Sequence, residues 1–369
     1  MNPVDSDDSI TAWLQLTLTE GVGPATARRL LNQFGMPQQI LQAGFFAVSQ
    51  IAGEKIARML FEPDNKREAL IAQTLEWGSK PENHLITLAD SAYPPQLLNT
   101  PDPAPLLYLK GNPAFLEQTC IAIVGSRNPT AQGVLNAEQF ARTLSQAAIT
   151  VVSGLALGID AAAHRGALQG SGSTIAVVGT GLDTVYPAKN RELAHEIATK
   201  GLLISEFPLG TKPLSSNFPR RNRIIAGLAQ GTLVVEAAVQ SGSLITAKLA
   251  ADLGKDVLAI PGSIHSPQSR GCHSLIKQGA KLVESAQDVL EELRLEHITS
   301  NTPVQPPPSS KQKDLLLSAL GGDAIHSDTL AQRTGLCTET LMTRLTELEL
   351  SGQVARLPGG LWQALPDLT

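Results

Sequence analysis

From Cys120 onward the chain alternates apolar runs of strand length with amphipathic helical stretches. The runs are IAIVG, TVVSG, TIAVVG, LLISE, TLVVEA and DVLAIPG, each closed by glycine, serine or an acidic residue. Because the runs are continuously apolar, with no polar residue at every second position, both faces of the strands must be covered. That pattern predicts a parallel sheet sandwiched between helices. With so many strands in so short a stretch, a single doubly wound α/β domain is the natural arrangement. Ligands in such a domain sit beyond the carboxyl ends of the strands.

The flanks read differently. Residues 9–80 show helical spacing in TAWLQLTL, ARRLLNQF and EKIARMLF. Between the first two lies Gly21-Val22-Gly23-Pro24, followed by Ala25, a glycine-proline turn of helix-hairpin-helix (SAM-like) form. A degenerate second copy follows at Ile51 to Ala57, where Glu54 weakens any anion-binding role, and a packing role is favoured for both. Residues 81–118 are proline-rich and form an extended lead-in that ends in the short apolar run Leu106–Leu109. After Leu293 the pattern is lost in a proline-rich linker, TPVQPPPSS. The tail then offers three helical segments, DLLLSAL, SDTLAQRTG and CTETLMTRLTELELSG, and a two-stranded wing, QVARLPGGLWQAL, the pattern of a winged-helix module. Glu339, Glu347 and Glu349 oppose Arg344 on its recognition helix, which favours protein contact over DNA reading. The expected organisation is a helical module at 1–80, a Rossmann-like core at 81–296, a linker at 297–311 and a winged-helix module at 312–369.

Composition narrows the function classes. The 369 residues are 42% hydrophobic, and no apolar run is long enough to span a bilayer. The amino terminus, MNPVDSDDSI, lacks the basic start of a signal peptide, so a cytoplasmic location is expected. Cys120, Cys272 and Cys337 form no CxxC pair, and neither a disulfide framework nor a metal site is expected. Cys272 and His273 are sequence neighbours, and a structural role is expected for both. A net charge of −5 argues against attraction of the whole molecule to nucleic acid but permits a local basic pocket.

Such a pocket is suggested by FPRRNRIIAG. Arg220, Arg221 and Arg223 stand beside Phe218 and Asn222 in a stretch, Phe207 to Val235, that has no acidic residue. Guanidinium forks match phosphate oxygens, and an aromatic ring can stack on a base. The same segment also fits a solvated helix start. Other turns at strand ends share the phosphate-compatible pattern. Gly125-Ser126-Arg127 closes the first core strand. Ser153 to Asp160, with Gly154 and Gly158, follows the second; there Asp160 serves equally well as a helix cap. Gly181 lies in the turn after the third, with Tyr186-Pro187, Lys189 and Asn190 beyond it. Glu236 ends the fifth and is followed by Ser241-Gly242-Ser243 and Thr246.

In that order the motifs GSR, SGLALGID, GTGLDxxYPxxN, FPRRNRIIAGL, EAxxxSGSLITA and IPGS with GCHxLIxxGA resemble the DNA-processing protein A family, also called Smf. The resemblance spans roughly residues 85–290. It implies a Rossmann-like core that dimerises, binds single-stranded DNA, and loads a RecA-type recombinase on DNA taken up in natural transformation, with no cofactor and no catalytic turnover. By the same resemblance Gly125, Ser126, Arg127, Arg221, Asn222 and Arg223 contact phosphate and Phe218 offers a base platform. Lys189 is a further candidate, and Glu236, Ser241, Gly242, Ser243 and Thr246 line or brace the pocket. The dimer surface is sought among apolar residues after Gly271, including Leu275, Ile276 and Leu282. The alternative is a nucleotide-processing enzyme of the phosphoribohydrolase type, whose core is similar. Its PGGxGTxxE motif is absent.

Overall fold

In the computed structural model, which describes residues 3–294, 315–320 and 324–365, each apolar run of the core becomes a strand. The expected linker at 297–311 and the start of the tail's first helical segment lie outside the described residues. The strands are β1 (Asn83–Thr87), β2 (Leu106–Gly111), β3 (Cys120–Val124), β4 (Thr150–Ser153), β5 (Thr174–Val177), β6 (Leu202–Ser205), β7 (Gly231–Val234), β8 (Asp256–Ala259) and β9 (Lys281–Leu282). They form one nine-stranded sheet in the order β1-β2-β6-β5-β4-β3-β7-β8-β9. From β6 to β9 all neighbours are parallel, with Cys120 opposite Thr150 and Ile121 opposite Gly231.

The two-residue period of a strand explains why both faces had to be apolar. Ala122, Val124, Val152, Ile204 and Val234 turn to one layer of helices. Ile121, Ile123, Val151, Leu233 and Val235 turn to the other. The chain runs outward from β3 through β4, β5 and β6, then returns to place β7 on the free side of β3. This reversal opens a crevice at the carboxyl ends of β3 and β7, where ligands of doubly wound folds bind.

The lead-in is more structured than its prolines suggest. β1 and β2 form an antiparallel pair that extends the sheet beyond β6. Leu106, Leu107, Tyr108 and Leu109 are all buried, and Asp90 tightens the turn after β1 by accepting the Thr87 N–H and hydroxyl at 2.6 and 2.8 Å. The amino-terminal module likewise contains helices beyond those expected, Pro37–Ala52 and Asn65–Gly78 among them. It has its own core around Leu16, Leu30, Ile40 and Leu60, while Leu14 packs with Leu106 and Tyr108 of the sheet. Its glycine-proline turn faces inward: Val22, Gly23 and Pro24 line a cavity of about 130 Å³ with Leu106, Glu206, Phe207 and Arg220. That placement accords with a packing role.

In the tail, the helices Ser327–Thr334 and Thr338–Leu350 join three strands, β10 (Ile325–His326), β11 (Val354–Leu357) and β12 (Leu361–Ala364), the wing pairing with β10 as well. Leu330, Leu341, Leu345 and Trp362 form its core. No helix among the described residues is long and apolar enough to cross a membrane.

Candidate nucleic-acid interface

The crevice at the reversal point is a pocket of about 560 Å³, and two of its walls are the turns after β3 and β7. The turns are tied together, because the Ser126 N–H donates to the Glu236 carbonyl at 2.7 Å. The Ser126 hydroxyl accepts the Asn128 N–H at 3.1 Å, which curls the GSR turn and leaves Arg127 exposed. The guanidinium of Arg127 lies 5.7 Å from the Phe218 ring centroid, within cation–π range. Across the pocket the helix Ser243–Asp252 presents its amino terminus, with the Ser241 and Ser243 hydroxyls 2.7 Å apart and buried Thr246 behind them. Among the lining residues the charged groups are two guanidiniums, Arg127 and Arg221, and one carboxylate, Asp160. The pocket is therefore cationic although the chain is acidic overall.

Glu236 acts from outside this wall. Its carboxylate accepts the Thr130 N–H at 2.9 Å and the Thr130 hydroxyl at 2.6 Å, at the start of the helix Ala131–Gln146. A carboxylate at a helix amino terminus is favoured by the helix dipole, so Glu236 braces the GSR turn.

The arginine segment is helical, from Asn217 to Leu228, and helical phase divides it. Phe218, Arg221, Asn222 and Ile225 share the face that lines the pocket. Arg220 and Arg223 lie on another face. Arg220 pairs with Glu206 at 3.1 Å and stacks on Phe207 at 5.2 Å. Arg223 pairs with Glu206 and donates to the Asp102 carbonyl. The RNR segment is therefore divided: Arg221 and Asn222 line the pocket, whereas Arg223 ties the helix to the lead-in and Arg220 to the end of β6, and neither of these two is among the pocket's lining residues. Burial pushes the Glu206 carboxyl up, and the two arginines oppose that shift.

Asn190, a further candidate, is also outside the pocket lining. It is buried, and its amide donates to the Leu155 and Ala156 carbonyls at 2.9 and 3.1 Å, so it clamps the turn after β4. Lys189 is exposed and outside the pocket lining. Gly181 is also outside it, packed so closely that a Cβ would meet the Pro208 carbonyl at 2.6 Å. Cys272 is fully buried, with its thiol pushed up to about 12 by burial, while His273 turns to the Gly262 carbonyl at 3.0 Å. The two side chains do not meet, which accords with structural roles.

Arg221 does double duty. It lines the pocket, yet it is only 5% exposed and donates to the Gly154 carbonyl at 2.6 Å, to the Val177 carbonyl and to Asn222. Gly154 is required there, since a Cβ would fall 2.6 Å from the guanidinium. Gly158 is required for a second reason: its φ of +81° suits glycine, and a Cβ would strike the Ser126 carbonyl at 2.4 Å. Asp160 accepts the Gly154 and Ala156 N–H groups at 3.2 and 3.4 Å and faces Arg221. Burial raises its carboxyl, and Arg221 opposes the shift.

Sequence reasoning passed over His164. Its Nε2 accepts the Leu155 N–H at 3.2 Å, which leaves Nδ1 to donate to the Thr174 hydroxyl at 2.7 Å. Full burial, and then Arg221, push its pKa down to about 3. A histidine in the alanine-rich helix after a glycine turn was the available signal. Since the folded pKa lies below the unfolded value of about 6.5, the stability His164 contributes is complete above that pH. It falls as pH drops toward 3, by about 1.4 kcal/mol per unit. Asp160 and Glu206, with raised values, carry the opposite sign. Urea titrations of wild type and His164→Gln across this window should isolate the histidine: the wild type loses stability more steeply, and parallel curves would refute the assignment.

Comparison with known proteins supports the motif resemblance. The family described as DNA recombination-mediator protein A matches residues 84–294. A winged-helix domain of the same family matches 300–360, and its N-terminal helix-hairpin-helix domain matches 7–45. Protein Smf of Escherichia coli is 43% identical over 298 residues, covering 79% of this chain and 80% of its own. DNA processing protein DprA of Streptococcus pneumoniae is 50% identical over 206 residues, covering 56% and 73%. The structure of DNA processing protein A from Streptococcus pneumoniae superposes with a TM-score of 0.68 at 39% identity, covering 76% of this chain and 97% of that one. A Helicobacter pylori structure, described in terms of its single-stranded DNA binding mode, gives 0.53 at 30% identity, covering 57% and 96%. From its core motifs to its flanking modules, this chain belongs to the DNA recombination-mediator protein A family.

Proposed function

We propose that this protein binds single-stranded DNA without sequence preference and delivers it to a RecA-type recombinase during transformation and recombination. The observation that carries this reading is Arg127, exposed beside the Phe218 ring at the mouth of a cationic, hydroxyl-lined crevice. Arg127 meets phosphate, the Ser241, Ser243 and Thr246 hydroxyls donate to its oxygens, and Phe218 takes a base. The relative from Helicobacter pylori, whose structure is described by its single-stranded DNA binding, supports the ligand class. The enzymatic alternative needs a free carboxylate near the bound nucleotide. Glu236 is engaged with Thr130, and Asp160 is buried and accepts two backbone N–H groups, which supports the reading of a binding protein.

Two partners complete the proposal. A second copy of the chain docks on the apolar face after Gly271, where Leu282 is 44% exposed and Leu275 and Ile276 are partly buried. The recombinase is the further partner, recruited once the strand is held. The test is fluorescence anisotropy of labelled oligothymidylate, with a duplex of equal length, at several salt concentrations. Salt-sensitive binding that favours the single strand is the expected result; no binding at low salt would sink the proposal.

A further inference from the structure

Beyond the pocket wall, the motif GTGLDTVYPAKN spans a loop in which Thr180, Asp183 and Asn190 are committed to holding it in place. Both carboxylate oxygens of Asp183 accept the Gly210 N–H at 2.9 Å. The Thr180 hydroxyl donates to the Thr184 carbonyl at 2.9 Å, and the Gly181 N–H to the Thr211 carbonyl at 3.1 Å. On the far side, buried Asn190 anchors the chain to the turn after β4. Between these anchors stands Tyr186, with 47% of its surface exposed.

Its ring is not packed into the core. It lies beside Phe218, centroids 5.7 Å apart and planes inclined by 35°. Phe218 in turn is backed by Gly179, where a Cβ would come within 3.1 Å of its ring, and is flanked by Arg127 at 5.7 Å. Cation, ring and ring therefore follow one another from the pocket to its rim. A fixed, half-exposed tyrosine beside a second ring offers a π-face with little ordering cost, and every unpaired base has a matching face. Bases inside a duplex are already stacked and paired, so a platform of this kind serves only a single strand.

We infer that Tyr186 is a base-stacking residue that extends the Phe218 platform and contributes to selection of single-stranded over duplex DNA. The inference rests on the single-strand reading of the pocket and adds to it a residue outside the pocket wall. Stacking acts on the base, whereas the guanidinium of Arg127 acts on the backbone, and that difference makes the two separable.

The experiment compares wild type, Tyr186→Ala and Tyr186→Trp on oligothymidylate and on an abasic strand of the same length, at several salt concentrations. Tyr186→Ala is expected to weaken oligothymidylate binding about tenfold, leave abasic binding and the salt slope unchanged, and keep the wild-type melting temperature. Tyr186→Trp is expected to restore or exceed wild-type affinity. Unchanged oligothymidylate binding by Tyr186→Ala, or an equal loss on the abasic strand, would overturn the inference while leaving the pocket reading intact. A wild-type chain that binds neither strand would instead bring down the pocket reading, and this inference with it.

Discussion

Replacing Arg127 with alanine is expected to lower affinity for oligothymidylate at least tenfold and to flatten the salt dependence by roughly 0.7 in the logarithmic slope for each phosphate that is no longer neutralised. The fold should be untouched, since Arg127 is exposed and forms no ion pair among the described residues. Arg223→Ala should behave in the opposite way. It removes a cation from Glu206, whose side chain is 2% exposed, and from the Asp102 carbonyl, so a loss of about 2 kcal/mol in stability is expected. Arg220 still faces Glu206, which keeps the loss below that of a fully orphaned charge. DNA binding by the folded Arg223→Ala protein should stay within about threefold of wild type. Anisotropy titration and urea denaturation of the two variants side by side check both halves, and a tenfold binding loss in folded Arg223→Ala would contradict the division of the helix.

The largest effect on stability is expected at Arg221. Arg221→Met takes the donor from the buried carbonyls of Gly154 and Val177 and removes a guanidinium charge that opposes the burial penalty on Asp160. Leaving a buried acceptor without its donor costs about 1–3 kcal/mol, and two carbonyls lose theirs here. Asp160→Asn in the same chain should recover part of that loss, because the neutral amide needs no counter-charge. Denaturant midpoints for the single and double variants give the answer; an Arg221→Met protein as stable as wild type would show that the bonds from Arg221 are not what holds the turn after β4.

Much of this architecture was legible in the chain. The continuous apolar runs marked β3 to β8, because strands covered on both faces leave no polar alternation to confuse them with surface strands. The turns at their ends marked the crevice, since GSR and SGS stand where glycine and small hydroxyl residues permit close approach to an anion. The lead-in was less legible: prolines at 101, 103 and 105 signal extension, but the pairing of β1 with β2 depends on partners distant in sequence. Within FPRRNR the residue types were informative and the roles were not. Adjacent arginines look equivalent in a string, whereas a turn of about 100° per residue sends Arg221 and Arg223 to different surroundings. Asn190 and His164 escaped for a related reason. Each acts through backbone groups of the turn at Leu155, and no local pattern announces that destination.

The helix Asn217–Leu228 is a wall shared by two rooms. One side lines the crevice; the other, through Arg223 and Asp102, grips the lead-in, whose Pro101 carbonyl accepts from Arg28 of the amino-terminal module. Leu14 of that module also covers Leu106 and Tyr108. The helical module and the sheet are thereby joined through the lead-in and through a shared apolar cluster. Cutting the chain near residue 80 would strip apolar cover from the sheet and loosen the far side of the same helix that presents Phe218.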